Sequence, residues 1–233
     1  MTSLLKRIYR QVRFRRLHRR DVKLEYDFLG TDYGGWPIVR NLLPANPLVY
    51  SFGVGEDISF DLAMIDRYNA EVHGFDPTPR SRRWVSQQTL PQQFHFHPVG
   101  IGPKDAQLPF FEPADDKHVS FSNAPGEGQV GEPVMCDVRR LVTIASDNKH
   151  EHIDVLKFDI EGFEYEVLDD LVASDVRPSL LLCEFHHGMY KSTDEDTKRA
   201  VSALQCAGYR IFYVSATGHE YGFVRTTDSD RLV

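Results

Sequence analysis

The chain has 233 residues, 41% of them hydrophobic and 26% charged, with a formal net charge of −7, which suits one sizeable α/β domain with its own core. Residues 1–20 carry eight Lys or Arg and no acid, leaving 19 basic groups against all 34 acids elsewhere; so acidic a body speaks against nucleic acid as a partner, because phosphate rewards positive surface. No run approaches the roughly 18 apolar residues of a membrane span, no apolar stretch follows the basic start as a secretory signal requires, and Cys136, Cys183 and Cys206 form no CxxC pair, which fits a reduced, cytoplasmic setting.

Residues 1–25 form a basic arm in which 3–20 can be helical: Leu5, Ile8 and Val12 recur near helical spacing, and Arg fills much of the rest. It reads as a solvated segment, or as a surface helix drawn to an anionic membrane or glycan. A single domain is expected over 26–233. Its lead-in, 26–47, holds Gly30, Gly34, Gly35, Pro37, Pro44 and Pro47, a density of breakers that marks loops. Strand and helix then alternate: strand 48–52, helix 58–68, strand 71–75, helix 79–88, strand 93–99. A long stretch, about 100–133, reads as an insertion or lid with short strands at 108–111 and 119–121. A helix at 138–146, strand 153–158, helix 164–173, strand 179–185, helix 194–207 and strands 209–214 and 221–225 complete the pattern. Repeated strand–helix units predict a mostly parallel, doubly wound sheet with helices on both faces, and the last two strands can pair antiparallel.

Three strand ends carry the chemistry. The first runs through Ser51, Phe52, Gly53, Val54 and Gly55 into Glu56, Asp57 and a helix; the glycines let backbone approach a ligand. The second ends on Asp76, 21 residues beyond Gly55, where an acid can accept from two ribose hydroxyls. A dinucleotide fingerprint wants a third glycine where Ile58 stands, and Glu56–Asp57 would repel a pyrophosphate. The local charge favours S-adenosylmethionine, a cation without phosphate, over NAD. The third strand, IDVLKF, sets down Asp159, Glu161 and Glu164 around Gly162.

The segments LVYSFGVGEDISFDLAM, VHGFDPTP, IDVLKFDIEGFEYEVL and LLLCEFHH, with the lead-in Tyr33-Gly34-Gly35-Trp36, resemble successive motifs of the FkbM family of S-adenosylmethionine-dependent methyltransferases. The resemblance implies the class I methyltransferase, Rossmann-like sheet: seven strands, the last antiparallel. It implies that Gly53, Gly55 and Asp76 line the cofactor while Pro77 and Thr78 shape the turn. Where many members carry Asp, this chain has Ser51, which leaves the charge at the amino-acid end to Glu56 or Asp57. The implied activity is methyl transfer to a hydroxyl of a sugar or other small metabolite. A non-catalytic scaffold with the same pocket, recruited by its basic arm, is the alternative.

An alcohol acceptor needs a base, because its hydroxyl is barely ionised near neutrality. Asp159 and Glu161 follow one strand; Glu184, His186 and His187 follow another. His186 or His187 is the expected base, and Asp159 holds the acceptor or orients the His. Glu161 alternatively caps the next helix, while Glu164 and Glu166 read as solvated first-turn acids. Asp159, Glu161, Glu184 and His186 also make a divalent metal conceivable, but their spacing matches no ligand motif and no metal is assigned. His95 and His97 share one strand face opposite Phe94 and Phe96, the pattern of a half-buried strand. Lys157, inside an apolar run, is expected to pair with a carboxylate. Phe110, Phe111 and Phe121 either stack on a sugar or pack the lid.

Overall fold

A computed structural model describes residues 18–111, 132–189 and 192–226. The first 17 residues of the arm, the expected strand at 119–121 and Phe121 lie outside the described residues. The described strands are β1 Tyr26–Leu29, β2 Trp36–Val39, β3 Leu48–Phe52, β4 Glu71–Phe75, β5 Phe94–His97, β6 Gly100–Ile101, β7 Ala106–Phe110, β8 Val134–Arg139, β9 Val155–Phe158, β10 Leu180–Glu184, β11 Tyr209–Val214 and β12 Glu220–Arg225. The helices are α1 Ser59–Tyr68, α2 Pro79–Val85, α3 Leu141–Asp147, α4 Glu164–Ala173 and α5 Asp194–Cys206.

Seven strands form one sheet in the order β11-β12-β10-β9-β3-β4-β5. Every pairing within it is parallel except the two made by β12. This is the class I methyltransferase sheet that the motifs implied. β3 and β9 are buried at every residue, as expected for central parallel strands covered on both sides. Period-two alternation splits their side chains between two cores. Tyr50, Phe52, Leu156 and Phe158 pack with α3, α4 and α5; Val49, Val155, Leu180 and Leu182 pack with α1 and the β1–β2 hairpin. The chain order reverses between β3 and β9, so the carboxyl ends of these strands open the crevice in which such sheets bind ligands.

Two elements differ from the expected pattern. The breaker-rich lead-in contains the β1–β2 hairpin, with Pro37 opposite Phe28; a two-strand sheet offers Pro an edge where no ladder donor is needed. Val134–Arg139, expected to run into a helix from 138, is strand β8, flanked by β6 and β7 in a small separate sheet. Ahead of the hairpin, Asp21 accepts from the Ile211 backbone N–H at 2.8 Å and so ties residues 18–25 to β11. Among the described residues no helix is long and apolar enough to cross a membrane.

Candidate functional site

A cavity of about 850 Å³ lies over the carboxyl ends of β3, β4, β9 and β10. Among the described residues, eight carboxylates line it (Asp32, Glu56, Asp57, Asp76, Asp159, Glu161, Glu184 and Glu220), with Lys157 the one Lys or Arg. Phe52, Gly53, Val54, Gly55, Asp57, Asp76, Pro77 and Thr78, the candidates for cofactor contact, all line it. Ser51 does not. Strand alternation turns it away from Tyr50 and Phe52, and it is buried beside Asp61 on the α1 side of the sheet.

Gly53 is required by both conformation and space. Its φ is +77°, and a Cβ there would lie 1.8 Å from the Asp159 carbonyl oxygen. Gly55, at φ +55°, would point a Cβ into open space, so its backbone faces a void. The Gly55 N–H donates to Asp76 Oδ2 at 2.9 Å, while the Thr78 N–H and hydroxyl donate to Asp76 Oδ1 at 2.9 and 2.7 Å. Thr78 also caps α2, whose first residue is Pro79, the favoured arrangement for a helix start. Glu56 is neutralised by Arg80, with contacts of 2.9 and 3.3 Å. Burial alone would push the Asp57 carboxyl up. Donors from Ser59 and Thr31 and the nearby Lys157 ammonium instead hold it below its ordinary value. Asp57 rather than Glu56 is therefore the unneutralised charge of this turn. Lys157 was expected to bind a carboxylate; its ammonium instead donates to the carbonyls of Phe52 and Gly53, each at 3.0 Å, beneath the turn.

The reaction end is built differently. Glu161 has φ +52°, a conformation that costs a side-chain-bearing residue on the order of 1–3 kcal/mol. Glu164, expected to be solvated, is completely buried: the His186 Nδ1–H donates to its Oε1 at 2.7 Å, and the Gly162 N–H donates to the same oxygen at 3.1 Å. On the other side of the ring, His186 Nε2 lies 3.2 Å from Glu161 and 3.6 Å from Asp159. Burial alone would lower the His186 pKa, but Glu164, Glu161 and Asp159 raise it to about 10. His186 is therefore an imidazolium at neutral pH and no proton acceptor, which corrects its expected role as base. His187 is corrected too. It does not line the cavity; it is buried, stacked on His219 at 4.5 Å, with Nδ1 3.3 Å from the Thr197 hydroxyl.

Three carboxylates remain at the reaction end: Asp159, Glu161 and Glu184. Burial, followed by the Asp159 charge, pushes Glu184 up to about 9, so at neutral pH it holds its proton and can donate. Asp159 Oδ1 is buried and finds no hydrogen-bond donor, although the residue is on the cavity wall. An unsatisfied buried acceptor is costly and marks a place for a ligand's donor. The role of Glu184 was weakly signalled in the sequence, by its position at the end of an apolar strand. Phe110 is buried on the cavity wall, 6.3 Å from Phe163.

Comparison with known proteins gives this geometry a relative. A family model described as "Methyltransferase FkbM domain" matches residues 41–211. Two curated relatives, both called "Probable methyltransferase-like protein 24", are 32% identical (Rattus norvegicus) and 30% identical (Homo sapiens) over 141 residues, which is 59% of this chain and 32% of each relative. The chain thus spans about a third of the length of these relatives. Among solved structures, the Methanococcus jannaschii fibrillarin pre-rRNA processing protein aligns with a TM-score of 0.48 at 10% identity, covering 81% of this chain and 70% of its own.

Proposed function

The chain belongs to the family of FkbM methyltransferase domains, and on that premise we propose that it uses S-adenosylmethionine to methylate a hydroxyl oxygen of a sugar or similarly polyhydroxylated small molecule. The donor set fits the cofactor. Gly55 leaves its backbone bare toward open space while Gly53 lets the turn pack against the Asp159 carbonyl, and Asp76 keeps lone pairs for ribose hydroxyls beyond those its turn already uses. Asp57 is the counter-charge for the ammonium, and Lys157 for the carboxylate. When bound, the cofactor supplies a methyl carbon activated by a sulfonium.

The observation that carries the reading is Asp159 on the cavity wall, its Oδ1 without a hydrogen-bond donor and 3.6 Å from the His186 ring. An acceptor hydroxyl donates to it, and Asp159 takes the proton as the oxygen gains its bond to carbon. Glu184, protonated at neutral pH, donates to a second oxygen of the acceptor without adding charge. Glu161 and Asp159 share the imidazolium of His186, at 3.2 and 3.6 Å. Alignment by these groups and proton removal by Asp159 are the two contributions asked of the protein.

The test is transfer of labelled methyl groups to glycosides and their deoxy analogues. The expected product is an alkali-stable ether, formed only where a free hydroxyl is present. Labelling confined to amines or carboxylates would replace the hydroxyl reading. A titration with S-adenosylhomocysteine separately checks the cofactor.

A further inference from the structure

A second group of chemically active side chains lies away from the cavity, toward the β5 edge of the sheet. Register places Tyr50, His73 and His95 side by side on β3, β4 and β5, with Phe52, Phe75 and His97 beside them two residues on. Alternation puts all six on one face. His150, in the loop after α3, meets His73 edge-on, with ring centroids 4.8 Å apart. Glu71 opens β4 on the same face; its Oε1 is 3.3 Å from His73 Nε2 and 3.9 Å from His95 Nε2. Tyr50, Glu71, His73, His95, His97 and His150 do not line the cavity, and nothing proposed above uses them.

We propose that Glu71, His73, His95 and His150 form a binding site for a zinc-class dication. Glu71, His73 and His150 can each offer a ligand atom, and the three atoms lie within 4.8 Å of one another. Tetrahedral ligands at about 2.0–2.1 Å from zinc are roughly 3.4 Å apart. The set is therefore open by little more than an ångström, and Glu71 and His95, both exposed at the rim, have the freedom to close it. Three imidazoles and one carboxylate are the donors that suit zinc and its first-row neighbours, and they suit magnesium or calcium poorly.

The surroundings are those of ligating histidines. With a metal on Nε2, the His73 ring proton resides on Nδ1, where His97 Nε2 lies 2.8 Å away to accept it. The His150 ring is braced by the Tyr50 hydroxyl, 2.7 Å from Nδ1, and that hydroxyl accepts from Asn148 Nδ2 at 3.1 Å. Braces of this kind fix ring orientation at metal sites. Four protein ligands describe a closed, structural site, one that clamps edge strand β5 and the α3–β9 loop onto β4.

The test uses the full chain without an affinity tag, stripped of metal and titrated with Zn²⁺ against a chromophoric chelator at pH 7.5. One equivalent is expected to bind, and Co²⁺ is expected to give the intense visible band of a tetrahedral site. Glu71→Gln and His150→Ala are each expected to weaken Zn²⁺ at least tenfold and to abolish the Co²⁺ band. Asp159→Asn is expected to leave both unchanged. A hundredfold excess of Zn²⁺ over Kd is expected to raise the thermal midpoint of the unaltered protein by roughly 5–10 °C. His73 is buried in the core, so the rim variants carry the test. No stoichiometric binding, equal binding in Glu71→Gln and His150→Ala, loss of binding in Asp159→Asn, or an equal thermal shift with Mg²⁺ would each overturn the proposal.

Discussion

At the cofactor end of the cavity each carboxylate has donors of its own: Asp76 has Gly55 and Thr78, Glu56 has Arg80, and Asp57 has Ser59 and Thr31. At the reaction end Asp159, Glu161 and Glu164 crowd round the single ring of His186, Glu184 keeps its proton, and Glu161 sits at positive φ. The first region is satisfied by hydrogen bonds, one set for each carboxylate, before any ligand arrives. The second gathers several carboxylates and a strained backbone around one ring. A binding surface can be fully satisfied, whereas a reacting centre needs an acceptor left over, the part proposed above for Asp159.

The contrast breaks most sharply at Asp159. Asp159→Asn should reduce turnover by about 10²–10⁴-fold while leaving the affinity for S-adenosylhomocysteine unchanged within a factor of about three; steady-state rates and calorimetry check the two halves separately. An unaltered rate would return the base to another group. Next is His186, whose ring is 5% exposed against a completely buried Glu164. His186→Ala strands that carboxylate and should destabilise the fold by about 3–5 kcal/mol in urea unfolding. His186 and Glu184 set a pH signature. The folded-state pKa values of His186 and Glu184 are raised, to about 10 and about 9, from 6.5 and 4.5. The folded state then holds more protons than the unfolded chain, so stability falls as pH rises from 6.5 to 10. Thermal midpoints across that range should decline, and Glu184→Gln should flatten the slope up to about pH 9.

Smaller effects sharpen the other side. Asp76→Ala removes an acceptor shared by the turn and the ribose, and should weaken S-adenosylhomocysteine by about 10–100-fold with little change in stability slope. Unchanged affinity would remove the cofactor assignment from this end. The smallest change is expected from Glu161→Gly, which relieves the positive φ. It should raise stability by about 1 kcal/mol, seen as a thermal midpoint roughly 2–4 °C higher, while turnover falls.

Local patterns made much of this legible. Apolar runs ending on Gly53, Asp76 and Asp159 were enough to place three strand tips around one crevice, because central parallel strands read as continuous hydrophobic runs. What failed was whatever depended on partners far along the chain. Glu164 has the position of a solvated first-turn acid, and its partner His186 is 22 residues away. Ser51 sits in the right motif, yet strand alternation turns it to the wrong face. The pairing of His95 and His97 on one face could be read directly; His73 and His150, which complete the cluster, are brought there only by sheet register and a loop. The hairpin at 26–39 was hidden by its own Gly and Pro residues, which signal turns whether or not strands lie between them.

The missing Cβ at Gly53 has one more consequence. The Asp159 carbonyl fills that space, so the turn that would cradle the nucleoside and the loop that bears the proposed base are interlocked at one atom. Neither can drift without dragging the other. Attempts to recast which compound is modified should therefore leave this hinge pin untouched and diversify other lining residues, such as Phe28, Tyr213 and Thr217.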